Sequence, residues 1–231
     1  VLNAAQGIAN QVSGQLMVFS NNMLKAVNPV IVKNEGGGNR SGMLQISMIS
    51  AKFSVYMLAF FAIPFIIETP YILKIWLKDI PDWTVLFVRL NIMRFLITQF
   101  TAPLVTSISA EGSIRKFSII KSFINISPII LTYIFYSLGY PPYFMYVFWI
   151  FLWGGIGGYV TVYFAKKNCD LSIKEYLKIT FIPASSLCML VFFSGFLSQS
   201  FFNPSLFRFV FTVLLTSFSF ICLLYFLFLT N

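Results

Sequence analysis

Long apolar stretches alternate with short polar ones along the whole chain. Each apolar stretch has about 20 residues, the length that an α-helix needs to cross the hydrocarbon core of a bilayer. The sequence lacks the alternating ten-residue strands that are typical of a membrane β-barrel. It therefore predicts an all-α membrane protein with about seven transmembrane helices, over residues 4–32, 43–67, 83–108, 117–138, 143–165, 181–199 and 206–229.

Basic residues are concentrated in alternate connections between these spans. Connections 33–42, 109–121 and 166–180 together hold nine of them, whereas connection 68–82 holds two and the remaining connections hold none. Cytoplasmic loops carry an excess of Lys and Arg, so the N-terminus is predicted outside and the C-terminus inside. The nine residues are Lys33, Arg40, Arg115, Lys116, Lys121, Lys166, Lys167, Lys174 and Lys178.

The first predicted span has a polar face. Seven polar or small residues lie within roughly 60° of Lys25 on a helical wheel: Gly7, Asn10, Gln11, Gly14, Asn21, Asn22 and Asn28. Lipid would leave these amides unpaired, so the face is predicted to line a wet cavity. The alternative is a tightly packed helix whose amides bond to neighbouring helices.

The third predicted span carries a polar stripe on an otherwise apolar helix. Asn91, Arg94, Thr98 and Thr101 fall within a sector of roughly 80° at 100° per residue. This stripe is predicted to face protein or water, because charges in hydrocarbon are costly and intramembrane arginines usually mark functional pathways.

The two arginines of this span differ in predicted depth. Arg94 lies about 18 Å along the helix from the acidic end at Asp82, near mid-bilayer, whereas Arg89 is only about 10 Å in and can snorkel to the interface. Arg94 is therefore the stronger candidate. The alternative is that Arg94 has a structural role and hydrogen-bonds to carbonyls of a neighbouring helix.

Three further segments have distinctive patterns. Residues 68–82 are predicted to form a short helix in the outer interface, and residues 170–180 a surface-lying amphipathic segment. The glycines at 154–158 favour close helix packing, with a hinge as the alternative. Residues 1–165 are predicted to form a cavity-lining bundle, and residues 166–231 the amphipathic segment plus two peripheral spans.

Composition excludes an ordinary soluble domain. Mean hydropathy is +0.83 and only 10% of residues are charged, against about a quarter in soluble proteins. The net charge of +9 is spread over the loops without a continuous patch, so membrane topology explains it better than nucleic-acid binding. The three cysteines have neither metal-binding nor redox spacing, and are interpreted as packing thiols.

Candidate catalytic chemistry is scarce. The chain has no histidine, and all seven carboxylates fall in predicted loops or at span ends, so neither an enzyme nor a metal or other cofactor is predicted. The ionisable groups inside the spans are cationic, which indicates an anionic ligand such as a phosphate or diphosphate, with Lys25 and Arg94 as the best pair. Ion coupling usually needs an intramembrane carboxylate, which these spans do not offer. The carboxylates are Glu35, Glu68, Asp79, Asp82, Glu111, Asp170 and Glu175.

Several motifs together resemble the C-terminal half of bacterial polysaccharide (O-antigen type) flippases. These proteins belong to the multidrug/oligosaccharidyl-lipid/polysaccharide exporter superfamily. The similar stretches are spread along most of the chain, and each alone is weak. They are NAAQGIANQVSG at 3–14, NPVIVKNEGGGN at 28–39, ETPYILKIWLKDIPDWTVLFVRL at 68–90, APLVTSISAEGSIRKFSII at 102–120, LGYPP at 138–142 and LSIKEYLK at 171–178.

This resemblance implies one lobe of a two-lobe exporter fold with fourteen helices around a cationic cavity, the seven spans here being the eighth to fourteenth. It implies transport of undecaprenyl-diphosphate-linked oligosaccharide across the bacterial inner membrane for surface polysaccharide or lipopolysaccharide synthesis. The chain opens on VLNAAQG without an initiator methionine, so we expect it to begin within a longer protein that supplies the first lobe. Gln6 stands where many relatives are expected to have arginine.

Together, pattern and resemblance predict substrate contacts from Lys25 and Arg94, secondarily Arg89, and from Asn21, Asn22, Asn91 and Thr98. The partners are then membrane lipid, the lipid-linked glycan and the missing lobe. One alternative is a multidrug exporter of the same superfamily, which a cationic cavity would serve poorly because such drugs are cations. The other is a membrane-embedded polymerase or ligase of lipid-linked glycans, which would need essential loop carboxylates and a large outer loop.

Overall fold

The computed structural model describes the backbone of residues 2–229 and the side chains of residues 2–226. Val1 and residues 230 and 231 lie outside the described residues. They are the first residue of the predicted portion 1–165 and the last two of the predicted portion 166–231. Within this range all regular structure is helical. The helices are α1 (Leu2–Gly36), α2 (Arg40–Trp76), α3 (Thr84–Gln99), α4 (Ala102–Glu111), α5 (Arg115–Ser137), α6 (Phe144–Trp149), α7 (Gly157–Cys169), α8 (Ile173–Tyr176), α9 (Ile182–Phe201) and α10 (Leu206–Leu229), with π-helical segments at Ile150–Ile156 and Leu177–Phe181.

Five helical stretches in the described chain are long and apolar enough to cross a membrane. They are α2, α5, Phe144–Cys169, Ile173–Phe201 and α10, and the bent pair α3 and α4 makes a sixth if counted as one span. The all-α prediction is confirmed for the described residues, and these helices are compatible with a membrane protein. The first predicted span, 4–32, corresponds to α1, which is not among these stretches and whose membrane crossing stays a prediction.

The predicted interfacial helix over 68–82 is wrong, because α2 continues to Trp76. Pro70 has no backbone N–H, so the carbonyl of Ile66 lacks its helical donor. The side chains of Arg89 and Thr69 supply donors instead, at 2.9 and 3.1 Å. The helix therefore passes through the proline, and the outer connection shortens to residues 77–83.

The sequence predicts a separate, surface-lying segment over 170–180. In the structure this segment is instead continuous with the following helix. It begins at α8 and runs through the π-helical turn into α9, making one stretch over Ile173–Phe201. Tyr176 and Thr180 are buried, and the Thr180 hydroxyl donates to the carbonyl of Met48 at 2.8 Å. These buried residues thus attach the segment to the bundle, whereas its charged residues remain exposed.

The third predicted span is broken between α3 and α4, which meet at 41°. Pro103 lies in the first turn of α4 and cannot donate to the carbonyl of Gln99, so the helix cannot continue regularly through this point. Tyr176 donates its hydroxyl to the carbonyl of Phe100 at 3.1 Å. The break therefore has a defined partner on α8.

The long helix α2 is the centre of the packing. Its N-terminal part joins α4 and α7 in a buried cluster that includes Met43, Leu104 and Phe164. Its C-terminal part packs against α1, α3 and α6, and its opposite side against α9 and α10. The last two helices are therefore attached to the rest of the bundle through α2.

Candidate functional site

The polar face of α1 lies on the open surface of the molecule. Asn21, Asn22 and Lys25 are exposed, whereas the opposite side of the helix buries small and apolar residues such as Ala5, Ala9 and Leu24 against the bundle. This arrangement separates an apolar contact surface from a hydrated polar one.

Two asparagines of α1 are exceptions, since they hydrogen-bond to α3 and α4. Asn91 donates to the Asn10 side-chain oxygen at 3.2 Å, and Thr106 donates to that of Asn28 at 3.1 Å. The alternative in which α1 amides bond to neighbouring helices thus describes these two positions. The bonds also show that α1 runs parallel to α3 and α4: the N-terminal half of α1 lies beside α3, and its C-terminal half lies beside α4.

These bonds fix the relative depth of Lys25 and Arg94. Arg94 is three residues beyond Asn91, whereas Lys25 is fifteen residues beyond Asn10. At 1.5 Å per residue, the two cations are separated by about 18 Å along the helix axes. The structure therefore does not bring them together on one small anion.

Arg94 is a buried cation held by aromatic rings. Its residue is only 7% exposed. The guanidinium carbon lies 4.2 Å from the ring centre of Phe95, 4.8 Å from that of Trp149 and 5.1 Å from that of Trp153. The two tryptophans stack on one another at 5.3 Å with their planes 10° apart. Such cation–π contacts favour a flat guanidinium over a lysine ammonium.

Polar atoms without partners cluster around this guanidinium. Within the described residues, Arg94 Nε, Trp153 Nε1, the Tyr146 hydroxyl and Asn91 Oδ1 are buried without a hydrogen bond, and no salt bridge involves Arg94. The Tyr146 hydroxyl is close enough to Arg94 to interact electrostatically. Three of these four atoms are donors or can donate, so an oxygen-rich anion is their chemical complement.

Arg89 has the carbonyl-bonded arrangement that the sequence offered as the alternative for Arg94. Its Nε donates to the carbonyl of Ile66 at 2.9 Å and its Nη2 to that of Ile67 at 3.2 Å. Arg89 thus completes the backbone bonding of α2 beside Pro70, and this role is structural.

Thr98 and Thr101 contribute little to the Arg94 environment. The Thr98 hydroxyl donates to the carbonyl of Phe95 within the same helix at 2.9 Å. Thr101 lies beyond the end of α3, in the break before α4. The sequence predicts the polar stripe on one continuous helix, but in the structure the stripe is interrupted after Thr98.

A buried ion pair that sequence reasoning missed lies at the outer end of the bundle. Glu68 on α2 is 0% exposed and accepts from Arg208 Nη2 on α10 at 2.9 Å and from the Thr212 hydroxyl at 3.1 Å. The prediction that all carboxylates fall in loops or at span ends is wrong for Glu68, because α2 continues two turns beyond it. Its partner Arg208 lies in the first turn of α10.

Gly154 allows α3 to approach the π-helical segment that carries Trp153. A Cβ atom at this position would lie 2.7 Å from Ile97 Cγ2, whereas one at Gly155 would meet nothing within 4 Å. The π-helical turn and this close approach together place Trp153 beside Arg94. Of the two predicted roles of the glycine cluster, close packing is the one observed at Gly154.

Replacing Gly154 with alanine should lower the free energy of unfolding by about 1–3 kcal/mol through overpacking, because β-branched Ile97 has little rotamer freedom in a helix. Gly155→Ala is the matched control and should be neutral or slightly stabilising. Unfolding titrations in mixed micelles measure both. Equal stabilities of the two variants would contradict the close approach.

Within the described residues, no group of three or more His, Cys, Asp or Glu side chains is placed to hold a metal ion. No protein-family model, curated protein or solved structure matches this chain.

Proposed function

We propose that this chain forms one lobe of a flippase that carries undecaprenyl-diphosphate-linked oligosaccharide across the bacterial inner membrane. The observation that carries the proposal is the environment of Arg94: a buried cation without a carboxylate partner, beside donors without acceptors. A diphosphate offers the charge and the acceptor oxygens that these groups lack.

Lys25 and Arg94 then act in sequence rather than together. Lys25 is exposed near the inner end of α1, where the headgroup enters from the cytoplasmic leaflet in the predicted orientation. Arg94 lies about 18 Å further towards the outer side. Asn21 and Asn22 extend the polar surface beside Lys25 and offer amide groups to the sugars.

A second lobe completes the cavity in this proposal. The exposed polar face of α1 supports it, since such a face is compatible with a hydrated passage and not with lipid. Rocking of the two lobes about the headgroup would expose it first to the cytoplasmic and then to the outer side.

The two alternatives are less well supported. A multidrug exporter would place cationic drugs beside Lys25 and Arg94, with unfavourable electrostatics. A polymerase or ligase needs accessible carboxylates in a large outer loop, whereas the connection after α2 is only residues 77–83 and Glu68 is paired with Arg208.

Deleting the gene that encodes this chain tests all three functions in one strain. We expect loss of surface glycan and accumulation of complete diphosphate-linked oligosaccharide in the inner leaflet, because a flippase acts after assembly and before export. Lipid extraction measures the accumulated species, and an impermeant sugar-oxidising reagent applied to intact spheroplasts reports which leaflet holds it.

Each alternative gives a different outcome. A polymerase or ligase defect would leave lipid-linked glycan exposed on the outer leaflet, where the reagent reaches it. A multidrug exporter would leave surface glycan normal and lower resistance to cationic drugs. Either result would overturn the flippase proposal, and restoring the deleted gene controls for effects on neighbouring genes.

A further inference from the structure

A groove of about 570 Å³ lies between α5 and α7, at the end of the bundle where α5 begins and α7 finishes. Lys116 is the second residue of α5, and Lys167 lies two residues before the end of α7, so the two cations line the same end. Ile119, Ile120 and Tyr159 line the groove further along the two helices, away from this end. The groove therefore has two cations at one end and apolar or aromatic side chains along the rest of its length.

The groove is preformed by contacts beneath it and at both ends. Phe117 and Phe164 pack edge to face at 5.6 Å below its floor. Asn168 donates to the carbonyl of Ser113 at 3.2 Å. Lys121, which the sequence assigns to a loop, lies inside α5 and donates from Nζ to the carbonyl of Gly157 at 3.0 Å. These bonds fix the spacing of the two helices.

The electrostatics of the groove favour an anion. No carboxylate lines it, and within the described residues neither Lys116 nor Lys167 forms a salt bridge. Its walls face outwards, with Tyr159 72% exposed. In the predicted orientation this end of the bundle lies on the cytoplasmic side, where anionic lipids attract basic residues between transmembrane helices.

We propose that this groove binds one anionic phospholipid of the cytoplasmic leaflet. The lipid phosphate lies between Lys116 and Lys167, and one acyl chain lies against Ile119, Ile120 and Tyr159. This site lies on α5 and α7, away from Arg94 and the polar face of α1. Its occupancy requires no transport activity.

Fluorescence quenching in vesicles tests the site with the full chain. Tyr163, which also lines the groove, is replaced by tryptophan as a reporter, and the signal of the native tryptophans in the parent chain is subtracted. The reporter chain is reconstituted in phosphatidylcholine containing brominated phosphatidylglycerol or, for comparison, brominated phosphatidylcholine. We expect phosphatidylglycerol to be preferred by about fivefold for each lysine.

Lys116→Gln/Lys167→Gln in the reporter chain should remove this preference. Lys174→Gln/Lys178→Gln is the matched control, because these exposed cytoplasmic lysines lie outside the groove and should leave the preference unchanged. Three results would overturn the proposal. They are equal quenching by the two brominated lipids, an unchanged preference in the groove variant, and no quenching because a second copy of the chain covers the groove. Failure of the flippase proposal would leave these results unaffected.

Discussion

Replacing Arg94 with glutamine should lower export of lipid-linked oligosaccharide by about 10- to 100-fold, the effect of losing a hydrogen-bonded charge contact to a phosphate. The neutral amide cannot compensate the charge of a diphosphate, although it retains hydrogen-bond donors. The variant should still insert and fold, because no carboxylate in the described structure depends on Arg94 for its charge partner. Complementation of the deletion strain, scored as surface glycan per amount of membrane-inserted protein, measures the effect.

Three further variants separate an electrostatic role of Arg94 from a structural one: Arg94→Lys, Arg89→Gln and Lys25→Gln. Arg94→Lys keeps the charge and loses the flat stacking surface, so intermediate export is expected. Arg89→Gln should instead lower stability, since the carbonyls of Ile66 and Ile67 lose donors. Lys25→Gln, on the exposed face of α1, should reduce export without affecting stability. Full export by both Arg94→Gln and Lys25→Gln would contradict the proposed pathway.

The local pattern predicted much of the polar architecture of the first and third spans. A helical wheel identified the exposed face of α1, because that face depends on periodicity within one helix, and distance along the third span favoured Arg94 over Arg89. It could not distinguish the surroundings of Arg89 from those of Arg94. Arg89 meets a carbonyl freed by Pro70 on α2, and Arg94 meets the rings of Trp149 and Trp153, and neither neighbour is encoded near the arginines in sequence.

Prolines and a charged residue misled the prediction of helix boundaries in opposite ways. Pro103 interrupts the third span, although its apolar pattern is continuous. Pro70 and Glu68 mark an apparent end to the second span, yet α2 continues through both. Tertiary contacts decide these cases, because Arg89 replaces the donor lost at Pro70, and Arg208, 140 residues away in sequence, neutralises Glu68.

Replacing Glu68 with glutamine should cost about 3–5 kcal/mol of unfolding free energy, the penalty for breaking a buried salt bridge on one side. The substitution preserves shape, so the loss comes from the charge of Arg208, which is 8% exposed and would remain in the bundle without its counter-ion. Arg208 joins α10 to α2, so α10 should be the first helix to detach. Titration with sodium dodecyl sulfate in mixed micelles, followed by near-ultraviolet circular dichroism, measures the unfolding free energy.

A double variant distinguishes loss of the pair from general damage to the packing. Glu68→Leu/Arg208→Met removes both charges together and should be more stable than either single variant, because apolar residues of similar volume can replace a buried ion pair at little cost. The partly exposed pair of Arg40 and Glu35 is the control: the side chains are 39% and 12% exposed, against 9% and 0% for Arg208 and Glu68, so Glu35→Gln should have a smaller effect than Glu68→Gln. Additive losses from Glu68→Leu and Arg208→Met would mean that the charges do not stabilise each other, and that α10 is held on α2 by its apolar contacts alone.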